Sequence, residues 1–152
     1  MSGMNVDLRG FNQTAQRLQQ LAKQDATKAG QSANRAGATV LKKAIEKAAP
    51  DSSRTTEGEV RTRHNKGGGT RSEVHGKIKN NVIVRKTKST NANQVQNSVG
   101  VRGNAYHASF VNFGSIHNTA DPFVLRALGS SDQTIIDKIA VTLNKQLIKR
   151  GV

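Results

Sequence analysis

The chain has 152 residues, with 24 Lys plus Arg against 10 Asp plus Glu and a formal net charge of +14 at pH 7. It has no Cys, which excludes a disulfide framework, a thiolate nucleophile and a thiolate zinc site, and suits a reducing cytoplasm. No apolar run approaches the roughly 20 residues that span a bilayer, so no membrane partner is expected. Met1 to Gly10 lacks the basic start and apolar stretch of a signal peptide.

The length suits a single domain over residues 1–152. Hydrophobic residues make up 34% and aromatics 3%, which leaves little material for a core. Neighbours that cover the remaining apolar surface would stabilise such a chain. An oligomer or an assembly component is therefore expected.

Residues 12–49 carry helical spacing. Leu18, Ala22, Ala26, Ala29, Ala33, Ala36, Val40, Ala44 and Ala48 recur in steps of three and four, and Leu21, Leu41 and Ile45 widen the stripe. Asn12 is a candidate cap and Pro50 a stop. Gly30 and Gly37 weaken the helix by about 1 kcal/mol each and allow a kink. Unbroken, the helix would reach about 55 Å, longer than its own domain can cover. Its small-residue face, with Ala29, Ala33, Ala36 and Val40, is either core or a subunit contact.

Residues 51–74 are polar and basic around Gly67-Gly68-Gly69, which predicts a flexible loop or insert. Lys66 precedes the glycines and no helix pattern follows, so a nucleotide phosphate loop is not expected. Residues 74–88 and 94–102 predict strands, with Val74, Gly76 and Ile78 alternating and Val82-Ile83-Val84 a β-branched run. Val95, Val99 and Val101 share one parity. Ser89 to Asn93 is turn chemistry, so an antiparallel hairpin with a basic outer face is expected, covered by helices from either end of the chain. Tyr106, Phe110 and Phe113 then follow helical spacing, with Gly114 as a stop. Asp121 and Pro122 predict a helix start as cap and first position. Gly129 predicts an interruption and Ser131 the cap of a last helix carrying Ile135, Ile136, Ile139, Val141, Leu143, Leu147 and Ile148. The fold class expected is α+β: a long N-terminal helix, an antiparallel sheet or hairpin, short helices, and a C-terminal helix packed on the sheet.

Charge is densest in the middle. Net charge is +5 over residues 1–50, +6 over 51–90 and +3 over 91–152. Arg54, Arg61, Arg63, Lys66, Arg71, Arg85, Lys86 and Lys88 are the candidate contacts to DNA or to an acidic partner. The plainer reading is a solvated face. His64, His75, His107 and His117 show no metal-ligand spacing, the carboxylates are scattered, and no nucleophile has a base beside it. Asp121 before Pro122 suits a helix cap better than a partner for His107 or His117. No catalytic residue, metal or cofactor is expected.

The order of these signals resembles the neck or tail-completion family of long-tailed double-stranded DNA bacteriophages, the minor head–tail joining proteins. The carrying residues are Val6-Asp7-Leu8-Arg9-Gly10-Phe11, then Ala48-Ala49-Pro50 at the end of the helix. A strand start follows, for which His75-Gly76-Lys77-Ile78 is a better candidate than Glu57-Gly58-Glu59-Val60. The most specific segment is Ala105-Tyr106-His107-Ala108-Ser109-Phe110-Val111-Asn112-Phe113-Gly114-Ser115, then Asp121-Pro122-Phe123 at a helix start. Asn112 stands where that pattern usually has Glu, and Ser115 where it has Thr.

The resemblance implies a structural virion protein, made in the host cytoplasm. It would form a homo-oligomeric ring, expected to be hexameric, around the DNA channel at the head–tail interface. Its partners would be head-completion, tail-terminator or tail-tube proteins and the double-stranded DNA passing through. Phe110, Phe113, Gly114, Pro122 and Phe123 would then supply subunit contacts or core. The alternative is a free basic nucleic-acid-binding protein that acts through its Arg/Lys loop.

Overall fold

A computed structural model describes residues 15–16, 23–51, 60–74, 76–88 and 94–151. The element order is α1 (Lys23–Ala48), β1 (Val60–His64), β2 (Thr70–Val74), a 3₁₀ turn (Lys79–Asn81), β3 (Val82–Thr87), β4 (Gln96–Val101), a second 3₁₀ turn (Gly103–Ala105), α2 (His107–Phe113) and α3 (Phe123–Ile148). This is the α+β class expected, with a long N-terminal helix, antiparallel strands and a C-terminal helix. Each long helix has 26 residues, about 39 Å at 1.5 Å per residue. Ala15 and Gln16 are also helical. Asn12, the candidate cap, and the segment Val6 to Phe11 lie outside the described residues.

The two long helices pack on each other, and their sequences explain how. Ala29, Ala33, Gly37, Ile45 and Ala49 are buried at four-residue steps along α1 and just past its end. Phe123, Ala127, Ser131, Leu143 and Leu147 are buried at the same step along α3, with Ile135 and Ile139 half-buried between them. Rows four residues apart are the ridges that interdigitate when helices pack. The pairing is antiparallel. Ala29 and Ala33 cluster with Ile139, Leu143 and Leu147, whereas Ile45 and Ala49 cluster with Phe123 and Ala127. Small Ala29 and Ala33 of α1 thus face large Leu143 and Leu147 of α3, and at the other end large Ile45 of α1 meets small Ala127 beside Phe123. The approach is closest at Gly37, where a Cβ would lie 2.6 Å from Ile139 Cγ1 and 3.2 Å from Ile135 Cγ2. The helix runs unbroken through Gly30 and Gly37.

The α3 helix also runs unbroken, against the expected interruption at Gly129 and cap at Ser131. The buried Ser131 hydroxyl donates to the Ala127 carbonyl at 2.7 Å, a bond within the helix that satisfies the group without ending the element. Ser131 keeps the four-residue row, and burial of that row outweighs the local preference for a break.

The β3–β4 hairpin forms as expected, pairing Val82 with Val101 and Thr87 with Gln96. Asn97, Val99 and Val101 turn inward along β4. The α1 helix covers the sheet: Asn34 Nδ2 donates to the Val95 carbonyl at 2.8 Å, and Gln31 Nε2 to Asn97 Oδ1 at 3.2 Å. The first turns of α3 reach the same core, where Phe123 and Ala127 join Ile78, Val82 and Ala108. The strand expected from Val74 through Ile78 does not form. Val74 closes a different hairpin, and the chain turns at Ile78 into the 3₁₀ segment, where buried Asn81 donates to the Lys77 carbonyl.

Residues 60–74, expected as a flexible loop, pair as an antiparallel hairpin with Val60 opposite Val74 and His64 opposite Thr70. The glycines form its turn. Gly68 and Gly69 both have positive φ, and Asn65 N–H donates to the Gly69 carbonyl. The side chains described in this hairpin are all exposed.

The two long helices give glycine substitutions of opposite sign. Gly37→Leu is expected to destabilise the fold by about 1–3 kcal/mol through overpacking against Ile139. Gly129→Ala, with nothing within 4 Å of the added Cβ, is expected to stabilise it by about 0.5–1 kcal/mol. Urea denaturation followed by circular dichroism reads both.

Candidate functional site

The corner between α2 and α3 is built by backbone geometry. Gly114 ends α2 at φ 81°, and a Cβ there would lie 3.0 Å from the Ala120 nitrogen, so the position requires glycine twice over. Ser115 and Asn118 exchange backbone hydrogen bonds at 2.8 and 3.2 Å and hold Ile116 and His117 at the tip of a tight turn. Asp121 N–H then donates to the Val111 carbonyl at 2.8 Å, which returns the chain to α2.

The start of α3 differs in detail from its expectation. Pro122 precedes the first helical residue, Phe123, and makes no side-chain cap. The side-chain oxygen at the helix start comes from Asn112, whose Oδ1 accepts from the Val124 N–H at 3.2 Å. The Asp121 carboxylate instead binds Arg126 at 2.7 Å. Its hydrogen bond, then its charge, raise the Arg126 pKa above the usual arginine value, while desolvation acts weakly the other way.

This corner divides its aromatic residues between core and solvent. Phe123 is fully buried, while Phe110 is 51% exposed, Phe113 80%, Ile116 93% and Leu125 69%. Tyr106 meets Phe110 edge to face, with ring centroids 6.2 Å apart. Beside them lies an open groove of about 540 Å³, lined by Val99, Val101, Tyr106, Asn112, Phe113 and Val124 among others. Phe110, Phe113, Ile116 and Leu125 thus stand exposed on α2, the turn after it and the first turn of α3. Among the sequence-predicted contacts, Ala29, Ala33 and Phe123 are core, Ala36, Val40 and Gly114 half-buried, and Phe110, Phe113 and Pro122 on the surface. Ile116 and Leu125 complete the patch. Ile116 stands alone among polar residues, and Leu125 sits in the apolar run Phe123-Val124-Leu125, which gave no sign that only Phe123 is buried.

The basic residues fall on two separate sheets. Arg61, Arg63 and Arg71 lie on the first hairpin, where the backbone register sets Arg63 opposite Arg71 and Arg61 opposite Glu73. Lys66 is exposed in the hairpin turn, and Arg54 lies outside the described residues. Arg85, Lys86 and Lys88 are exposed at the end of β3, away from that turn in sequence and on the other sheet. Among the described residues no cluster of His, Asp or Glu could hold a metal ion, and no helix is long and apolar enough to cross a membrane.

Residues 12–114 match the family described as "Bacteriophage HK97-gp10, putative tail-component". The chain belongs to this family of phage tail components. The match runs through α1, both hairpins and α2, ends at Gly114, and agrees with the neck and tail-completion resemblance carried by the sequence. No curated protein and no solved structure matches the chain. As a tail component the protein has a structural role in the virion, and its partners are other phage tail proteins.

The Asn112 contact gives a test of how the corner is built. Asn112→Ala is expected to cost about 1 kcal/mol, the usual loss for a removed helix cap. Asn112→Asp is expected to cost less or nothing, since a carboxylate also suits the positive end of the helix dipole. Thermal unfolding of the two variants side by side reads the difference.

Proposed function

We propose that this tail component is a neck or tail-completion subunit that forms a homo-oligomeric ring, a hexamer on the family resemblance, around the DNA channel and joins tail to head. The observation that carries this reading is the exposed apolar corner of Phe110, Phe113, Ile116 and Leu125. In a closed ring each subunit presents two different surfaces, one to each neighbour. The corner supplies one such surface. Its side chains do not hold the subunit's own fold together, so their exposure is explained by a partner. The positive charge of the chain suits a position beside DNA. A free nucleic-acid-binding protein would share that charge but leave the apolar corner without a role.

Complementation of a phage lacking this gene tests the reading. Phe113→Ser together with Ile116→Ser is expected to leave the subunit folded, with a thermal midpoint near that of the parent. Infectious titre is expected to fall by orders of magnitude, with separate tails and DNA-filled heads in the lysate. Normal titre from the folded double variant, or particles lacking the protein that still join heads to tails, would overturn it.

A further inference from the structure

A second groove, of about 560 Å³, lies between α1 and the β3–β4 hairpin. Its lining is basic: Arg35 and Lys42 from α1, Arg85 from β3, and Arg102 just after β4. Ile83, Val84 and Thr39 complete the lining. Lys42 is paired with Glu46 at 3.3 Å, a half-exposed pair that water and salt partly screen. Arg35, Arg85 and Arg102 are exposed and have no carboxylate within ion-pair distance among the described residues. Three arginines from three separate segments therefore line one open groove with little among the described residues to neutralise them.

The geometry points to this groove as a binding site for the phosphodiester backbone of double-stranded DNA. Arginine presents a planar fork of donors that suits phosphate oxygens, and it gives up its hydration more readily than lysine. Arg35 and Lys42 are seven residues apart on one helix, about 10.5 Å along its axis. That is close to the axial rise of three nucleotides in one strand of a duplex, at about 3.4 Å each. The groove walls are rigid elements, a helix packed on both its faces and a paired strand, so the charges are held in place before any ligand arrives. An acidic peptide would satisfy single guanidinium groups. A duplex satisfies a row of them and also responds to the +14 charge of the whole chain. The site deepens the neck reading by naming the surface that meets DNA, and of the basic residues singled out in the sequence it includes only Arg85.

The test uses the full chain and a fluorescent duplex, with binding read by anisotropy across a salt series. The variant R35Q/R85Q/R102Q removes three charges from the groove. The variant K138Q/K145Q/K149Q removes three exposed charges from α3 and its C-terminal end and serves as the control for net charge. Circular dichroism confirms that both are folded. The groove variant is expected to bind roughly tenfold or more weakly, with a log–log salt slope shallower by about 2.7, or 0.9 for each phosphate no longer neutralised. The control is expected to change affinity by much less. Equal losses in the two variants would overturn the proposal in favour of a diffuse field. Binding of polyglutamate that needs the three arginines, with no such need for the duplex, would overturn it in favour of an acidic protein partner. The assay requires no assembly, so its failure would leave the neck reading standing, and normal titre from the corner variant in the complementation test would leave this site standing.

Discussion

The contact between α1 and α3 decides the rest of the structure. It sets small residues against large ones, with Ala29 and Ala33 facing Leu143 and Leu147 at one end and Ile45 meeting Ala127 at the other, and Gly37 lets the backbone come within reach of Ile139 and Ile135. The contact consumes the Ala-rich face of α1. The sequence left open whether that face was core or a subunit surface, and Ala29 and Ala33 are core. A chain with few large apolar residues gains most when those it has are shared along a long interface. Leu143, Leu147, Phe123 and Ile45 are spread over the whole helix pair for that reason.

With one side of α1 committed to α3, its other side is free to cover the β3–β4 sheet. The same helix then carries Arg35 and Lys42 to the edge of that sheet. The apolar corner lies at the opposite end of this chain of dependence. Phe123 anchors α3 in the core, Asn112 ties α2 to the first turn of α3, and Phe113 and Ile116 project from a bend that Gly114 makes possible. Core, corner and groove are therefore three outcomes of one helix pairing.

The sequence disclosed those features that depend on near neighbours. The stripe of α1, the strands β3 and β4, the short aromatic helix and the Gly114 stop were all legible, because each has its own period or breaker. Features set at a distance were not. Gly129 and Ser131 look like a helix break until Ser131 is seen to occupy the same row as Ala127 and Leu143. Val60 to His64 and Thr70 to Val74 alternate too weakly to announce strands, and only their pairing across the glycine turn makes them so. The Asn112 cap comes from twelve residues before the N–H that it satisfies on α3, outside the local window in which caps are sought. The groove arginines come from positions 35, 85 and 102, so no charge run marks them.

The β1–β2 hairpin packs chiefly on itself, and the residues that close its turn are glycines with open space around them. Such a unit can open and close without disturbing the helix pair. Its described side chains are all exposed and so free of the packing demands that bind the body. Substitutions or grafted epitopes at its glycine tip would leave the cooperative unfolding of the helix pair the same, so the tip can carry an insertion that the body would not tolerate.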